Sequence, residues 1–563
     1  GPRRRVGRTW PLPDATPAGA HAAAVVQGYH ARTRHQLSGY AAGPDTLDWD
    51  AQPDPFRRFA GTALTPLPLP AHSETLPWTA LFAAGGPAPR AATLNHLGLL
   101  FELSFALSAW KEFGPDRWAL RINPSSGNLH PTEVYLIARG LPGLDDGLYH
   151  YAPQAHALEQ RARFAPRPGP QPTQLLIGFS SIHWREAWKY GERAFRYCQL
   201  DMGHAIGALR YAAAVLGWRV RELGLSHADT AAALGLDRAG DFGPAEHEEA
   251  EALFELLPGA SDAAPADPVD WLPGATWTGQ ANRLDPRPMY RWPVIDAVAQ
   301  ASRRSVRKSV SALPPLGARR HLPATDAPAA DLIRGRRSAQ RFDRQARLGI
   351  DAFWPLLAAL MPAPAGGGAV QLPWDTGGTG GAKDGPAVHA VVFAHRVDGL
   401  APGAYLLPRN ATAGPALQAA LPHLSWRPVP DSPPDVPLLE LALNPALAGT
   451  LRTLSCHQAI AADAVFVVAL LGECGSSLAG RPWLYRERLR EAGLIGQVLY
   501  LEAEAAGLRG TGIGCFFDDP VRELLGLGAP GTEPWQVLYH FSVGLPVTDA
   551  RIASTPPYPE PRP

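Results

Sequence analysis

The chain is poor in sulfur and carries no net charge. Of 563 residues, four are cysteines (Cys198, Cys456, Cys474 and Cys515) and three are methionines. The cysteines stand far apart and form no CxxC pair. Their spacing supports neither a zinc cage nor a disulfide framework, and it fits a reducing, cytoplasmic setting. Lys plus Arg number 52, and so do Asp plus Glu. A balanced chain is not built to coat nucleic acid or an anionic membrane. No apolar run approaches the roughly 18 residues that a membrane span needs; AVFVVALLG (464–472) reads as a core segment. HExxH, GxSxG and Walker A signatures are missing, and the eighteen histidines show no metal-ligand spacing.

What remains is a globular chain of two or three domains. Hydrophobic residues make up 46%, which rules out general disorder. Glycine (56) and proline (59) are frequent enough to predict long loops and linkers. The start, GPRRRVGRTW, holds an arginine run. Pro11, Pro13, Asp14 and Pro17 then break the apolar stretch that an export signal needs. Gly1-Pro2 reads as a cloning remnant and residues 1–25 as a mobile tail. Globular blocks are expected over 26–260 and 326–550. The stretch 261–325, rich in Pro, Ala, Asp and Arg, reads as a linker with a short helix at PVIDAVAQASRR. Residues 551–563 (RIASTPPYPEPRP) read as a disordered tail.

An internal repeat links the two blocks. RYCQLDMGHAIGALRYAAAVLGWRV and RERLREAGLIGQVLYLEAEAAGLRGTG have the same glycine spacing: Gly203 to Gly217 matches Gly493 to Gly507. Each reads as a long Ala/Leu helix that ends at a glycine. The strand EVYLIAR (133–139) matches VHAVVFAH (388–395). Each is followed by a similar turn, GLYHYAP or GAYLLPR. The pattern predicts a duplicated domain, fused so that a dimer interface becomes intramolecular.

Four segments have the residue types for chemistry. In INPSSGNLHPTEVYLIA, residues Pro124, Ser125, Ser126, Gly127 and Asn128 make a polar loop that runs into an apolar strand. Small residues admit a flat ligand, and two hydroxyls and an amide offer donors and acceptors; an ordinary turn would look the same. IRGRRSAQRF puts four arginines around Ser338, suited to a phosphate or to a solvated basic turn. HARTRH (30–35) is its weaker counterpart. LRGTGIGCFFDD exposes backbone N–H groups at Gly510, Gly512 and Gly514, which can stabilise ligand charge. WREAWKYGERAFRY sets Lys189 beside Tyr190, an acid/base pair if partly buried, or else aromatic anchors of an amphipathic helix.

Together these segments resemble the nitroreductase superfamily, and within it the SagB/ThcOx-type azoline dehydrogenases. The resemblance spans about residues 26–550. It rests on PSSGNLHPTEVYLIA, GLYHYAP, KYGERAFRYCQLDMGHAIGALRYAAAVLG, RRSAQRF, GTGIGCFFDD and YHFSVGLP. It implies an α+β fold of two fused nitroreductase-like domains, each with a mostly antiparallel central sheet flanked by helices. The two would form an intramolecular pseudo-dimer with FMN at their interface.

The implied FMN site joins Pro124, Ser125, Ser126 and Asn128 of the first half to Arg336, Ser338, Gln340, Gly512, Gly514 and Cys515 of the second. Gln340 departs from the family, where a basic residue is usual; Arg341 follows it. The matching stretch of the second half, WDTGGTGGAKDGP (374–386), has no PSSGN, so one FMN per chain is expected and an empty or vestigial second pocket. Lys189 and Tyr190 match the pair implied for removal of the ring Cα proton of a thiazoline or oxazoline. Hydride then goes to the flavin and electrons go on to dioxygen. Arg193 and Arg196 are near in sequence and are expected to help lower the lysine pKa. The substrate is a small molecule or modified peptide, with a biosynthetic partner protein as a further possibility and neither nucleic acid nor membrane involved. Three other readings stay open: an NAD(P)H-dependent nitro, quinone or enone reductase of the same fold, a dehydrogenase of a non-azoline peptide or amino-acid substrate, and a non-catalytic scaffold in a peptide-modifying complex.

Overall fold

The computed structural model describes residues 19–70, 73–258, 263–310, 313, 316–362, 386–527 and 534–559. Along the chain come helix α1 (Gly19–Arg32) and the hairpin β1 (Leu107–Phe113) and β2 (Asp116–Arg121). Strands β3 (Thr132–Arg139), β4 (Gly147–Ala152), β5 (Ala157–Arg163) and β6 (Gln174–Ser181) lead to helices α2 (His183–Tyr190) and α3 (Ala194–Val215). Strands β7 (Arg219–Glu222), β8 (Glu249–Leu257) and β9 (Thr276–Trp277) complete the first half. Helices α4 (Pro293–Ala301) and α5 (Ala329–Gly335) connect the halves. The second half holds β10 (Val388–Ala394), β11 (Gly403–Leu407), β12 (Arg427–Pro428), β13 (Leu439–Leu443) and β14 (Phe466–Glu473). It continues with α6 (Leu484–Ala505), β15 (Arg509–Ile513), α7 (Asp518–Leu524), β16 (Trp535–Gly544) and β17 (Ala553–Thr555).

The two halves share one sheet order. The first runs β9-β5-β4-β3-β6-β8-β7 and the second β12-β13-β11-β10-β14-β16-β15, antiparallel at every step. Central strands are apolar on both faces, and alternate residues enter different cores. Leu136 of β3 and Val392 of β10 face one common core between the sheets. Tyr135 and Ile137 face an outer core of the first half, and Val391 and Phe393 an outer core of the second. GLYHYAP and GAYLLPR, expected as turns, are the strands β4 and β11; their aromatic and branched residues pair with β3 and β10.

The common core is built around α3 and α6. All 22 residues of α3 are buried, and α6 is nearly as enclosed. Most of their charged residues are buried too, held by partners inside the protein, such as Arg196 on Asp518 and Arg486 on Glu249 and Glu251. The two helices touch where the repeat places its first glycines. A Cβ on Gly203 would overlap the backbone at Arg490 and Leu494, and a Cβ on Gly493 would overlap Leu200. Each glycine thus meets its own counterpart, as across a two-fold interface. Both helices end at the second glycine of the repeat, with φ +68° at Gly217 and +74° at Gly507.

Both ends of the described chain cross to the opposite half. From α1, His30 Nδ1 pairs with the Tyr485 hydroxyl at 2.9 Å, and the His35 amide donates to Asp518. Helix α1 begins at Gly19, so part of the expected mobile tail is helical, its Val25 and Val26 buried. At the other end β17 pairs with β1, and the Leu107 amide donates to the Tyr558 hydroxyl. Residues 551–559 are therefore docked, where a disordered tail was expected: β1 offers a free edge, and Tyr558 a large side chain to bury. Among the described residues no helix is long and apolar enough to cross a membrane.

The cysteine reading needs correction. Cys456 and Cys515, 59 residues apart, form a disulfide with Cα atoms 5.9 Å apart, while Cys198 and Cys474 are buried free thiols. The pairing arises where the turn after Leu447–Leu454 meets the end of β15, a tertiary approach that spacing does not record. The ground for a reducing compartment goes with it.

The crossing predicts a sharp contrast between glycines. Gly203→Val should cost about 3 kcal/mol or more, because a branched side chain would force two backbones apart. Gly240→Ala, with open space around it, should cost less than about 0.5 kcal/mol. Urea denaturation midpoints measure both.

Candidate functional site

A cavity of about 500 Å³ lies between the halves. Its first-half wall is the 124–128 loop, with Tyr190, Tyr197, Asp201 and His204 from α2 and α3 and with Lys111 and Trp118 from the hairpin. The second half contributes residues 336–341, Tyr500, residues 511–515 and the segment that precedes β17. The cavity thus brings together Pro124, Ser125, Ser126, Asn128, Tyr190, Arg336, Ser338, Gln340, Gly512, Gly514 and Cys515. Lys189 does not line it. Its Nζ lies 5.3 Å from the Trp49 ring centroid and 5.2 Å from that of Tyr190.

The loop is held from below. Ser125 Oγ donates to Asp201 Oδ2 at 2.6 Å and Ser126 Oγ to Asp201 Oδ1 at 3.0 Å; the Ser126 amide also donates to Oδ1 at 3.1 Å. Gly127 (φ +64°) and Asn128 (φ +57°) turn the chain, and the Gly127 position lies against the Tyr190 hydroxyl. Asn128 was expected to pair with a heterocycle edge. Its amide is used within the protein instead: Nδ2 donates to Ala119 O and Oδ1 pairs with His130 Nε2.

The glycine segment is a strand rather than a loop. Its residues 510, 512 and 514 lack side chains because aromatics fill the space. A Cβ would strike Phe541 at 510, the Tyr539 hydroxyl at 512 and Tyr197 at 514. The Gly512 amide donates to the Tyr500 hydroxyl at 3.1 Å, and that hydroxyl pairs with Ser338 Oγ at 2.8 Å. Cys515 lines the cavity with its sulfur bonded to Cys456.

The cavity wall is strongly cationic. Lys111, Arg121, Arg336, Arg337, Arg341 and Arg509 line it, against Asp201 and Asp549, and Lys111, Arg336, Arg337 and Arg509 lie near one another. Burial, then Arg336 and Arg509, pulls the Arg337 guanidinium down to about 10. Burial, with Arg337 and Arg509, also lowers the Lys111 amine. Arg336 is buried and donates to the carbonyls of Ile122 and Arg121 at 3.0 and 3.2 Å, while its Nη1 has no partner. Mutually repelling cations and an unused buried donor fit an anionic group such as a phosphate.

Arg193 and Arg196 do not serve Lys189. Both are buried on Asp518, at 2.8 and 2.7 Å. HARTRH is likewise spent inside the protein: Arg32 grips Glu192 through two contacts of 2.7 Å, and Arg34 reaches Gln536. Sequence reasoning missed Asp201, His204 and Glu186. His204, on the cavity floor, pairs with Gln497 and the Tyr539 hydroxyl at 3.0 Å each, and burial lowers it to about 3, so it is neutral. For Asp201 and His204, ionisable residues inside an Ala/Leu helix were the available signal.

The pseudo-symmetric position is filled. Aligning the repeats on Gly203 and Gly493 puts Glu222 opposite Gly512, Glu487 opposite Tyr197 and Glu491 opposite Asp201. What remains there is about 20 Å³. The connecting segment closes it. The Lys308 amide donates to Gly224 O at 2.8 Å, and Lys308 Nζ lies 3.5 Å from Glu222 and 3.6 Å from Glu487. Burial pulls that amine down, but the two carboxylates outweigh it and hold it charged. The second-half counterpart of PSSGN, residues 374–385, lies outside the described residues.

No protein-family model matches the chain. The crystal structure of a candidate nitroreductase from Anabaena variabilis aligns over 93% of this chain and 99% of its own, with a TM-score of 0.64 at 22% identity. The fold is therefore nitroreductase-like across both halves. A curated candidate nitroreductase of Methanocaldococcus jannaschii is 28% identical over 135 residues, 21% of this chain and 64% of that protein. The match thus spans less than two thirds of that relative. The Escherichia coli microcin synthetase McbBCD complex with truncated pro-MccB17 bound aligns over 43% of this chain and 94% of its own, with a TM-score of 0.25 at 17% identity.

The cationic wall predicts anion binding. Inorganic phosphate should raise the melting temperature by a few degrees over sodium chloride at equal ionic strength, since ligands that bind only the folded state stabilise it. Arg337→Ala combined with Arg509→Ala should lose most of that gain in a thermal-shift assay.

Proposed function

We propose that the chain is an FMN-dependent oxidoreductase with one composite site, and that it dehydrogenates a thiazoline or oxazoline ring to the azole. The observation that carries the reading is the cavity itself. A hydroxyl-bearing loop from one half and a small-residue strand from the other line it, together with a cluster of arginines. The arginines and Lys111 hold the phosphate, and Ser125, Ser126 and the Gly512–Cys515 segment flank the planar ring. Bound FMN supplies the hydride acceptor, with dioxygen as the final oxidant.

The protein's own part is the proton. Burial keeps the Tyr190 phenol protonated, with Glu186 adding to the effect. It marks the cavity wall at which the ring Cα proton leaves. Lys189, the preceding residue, is the amine that takes it, which requires its side chain to swing from the Trp49 and Tyr190 rings into the cavity that it does not line here. Burial lowers that amine against the opposing pull of Glu186, which makes it a better base near neutral pH. The substrate is a small molecule or a modified peptide, and in the second case a biosynthetic partner protein would present it.

The test uses flavin-loaded protein and an azoline-bearing peptide. Mass spectrometry should find each ring lighter by one hydrogen molecule, with oxygen consumed. Lys189→Ala should lower kcat about 10²-fold or more while flavin stays bound, and Tyr190→Phe should lower it less. Turnover only with NAD(P)H and a nitroaromatic or quinone would replace this reading with the reductase one.

A further inference from the structure

Beneath the 124–128 loop lie two carboxyls that the proposed chemistry does not use. Asp201 on α3 accepts the three hydrogen bonds from Ser125 and Ser126 already described. Glu186 on α2 has Oε1 3.3 Å from the same Ser125 hydroxyl, so one serine oxygen lies within hydrogen-bond reach of both carboxyls, and Glu186 Oε2 is buried with no partner. Both are buried, at 0% and 3% exposure. The titratable groups facing them are Lys189 and Tyr190 from α2, Cys198 from α3 and Tyr539 from β16. Among the described residues no cation forms an ion pair with either carboxyl. Two buried anions that meet at one hydroxyl with no cation paired to either would repel strongly. One hydrogen between them removes the conflict.

We propose that Glu186 and Asp201 share one proton, and that this proton holds the 124–128 loop in the shape that receives the flavin. They are positioning residues, acting through Ser125 and Ser126. The inference rests on the FMN reading of the cavity. Electrostatics agree with the geometry. Burial, then Asp201, pushes Glu186 well above its ordinary range, while burial raises Asp201 only to about 6 because the serine donors favour its anion. Above about pH 6 the pair is thus a monoanion, with Glu186 donating to the Asp201 carboxylate. At alkaline pH the second proton leaves, the two anions repel, α2 and α3 are pushed apart, and the serines lose their fixed acceptor.

The experiment measures FMN affinity by flavin fluorescence across neutral and alkaline pH. The wild type should hold FMN at neutral pH and lose at least tenfold in affinity on the alkaline side. Glu186→Gln keeps a neutral donor that cannot titrate, so it should bind FMN as tightly at neutral pH and lack the alkaline fall. Asp201→Asn should bind more weakly throughout. A second readout needs no flavin: the infrared carboxylic-acid C=O band at neutral pH should be present in the wild type and lost in Glu186→Gln. The same alkaline fall in Glu186→Gln as in wild type, or an unchanged infrared band, would overturn the proposal. Failure to take up FMN at any pH overturns the cofactor reading alone, and the infrared band then decides the shared proton by itself.

Discussion

The contact of Gly203 with Gly493 is the constraint on which the rest of the molecule depends. Two packed helices can cross at backbone distance only if both are bare at the crossing. That approach brings two like sheets onto one core. It also sets the start of α3, with Asp201, against the end of α6, with Tyr500. The cavity is a consequence of this packing. Neither half could form it alone, because the serine loop and the arginine segment belong to different copies of the repeat.

Fusion of the copies removes any need for the two interfacial pockets to be equal. The chain shows that freedom. One pocket keeps glycines where aromatics and a ligand must fit. In the other, Glu222 and Glu487 have taken the corresponding places, and the connecting segment supplies Lys308 to neutralise them. A half-buried lysine between two carboxylates satisfies all three charges but leaves no room for a flat ring. The exchanged ends serve the same asymmetry: α1 reaches the second half through His30 on Tyr485, and β17 anchors the segment before it, which walls the open pocket.

Much of this was legible in the sequence because it depended on local spacing. Glycine intervals revealed paired helices, and apolar runs revealed the central strands. The polar and basic character of PSSGN and RRSAQRF marked the two segments that meet at the cavity. What stayed hidden depended on partners distant in sequence. GTGIG looked like an exposed amide loop, yet its glycines make room for Tyr197, Tyr539 and Phe541. HARTRH looked free, yet Glu192, Asp518 and Gln536 consume its donors. The Cys456–Cys515 bridge and the docking of Tyr558 are tertiary events of the same kind. Asp201 and Glu186 were in plain sight. Their meaning needed the knowledge that both reach the Ser125 hydroxyl.

If the fused pair has one working pocket, it binds one flavin. Counting flavin on the purified chain tests it most directly, by visible absorbance followed by heat release and quantitation of FMN against protein. The account predicts one FMN per chain. Two per chain would contradict it, since the pocket closed by Lys308, Glu222 and Glu487 would then have to open and bind. A chain that stays colourless after incubation with FMN would contradict it from the other side, leaving the cavity to some other anionic ligand.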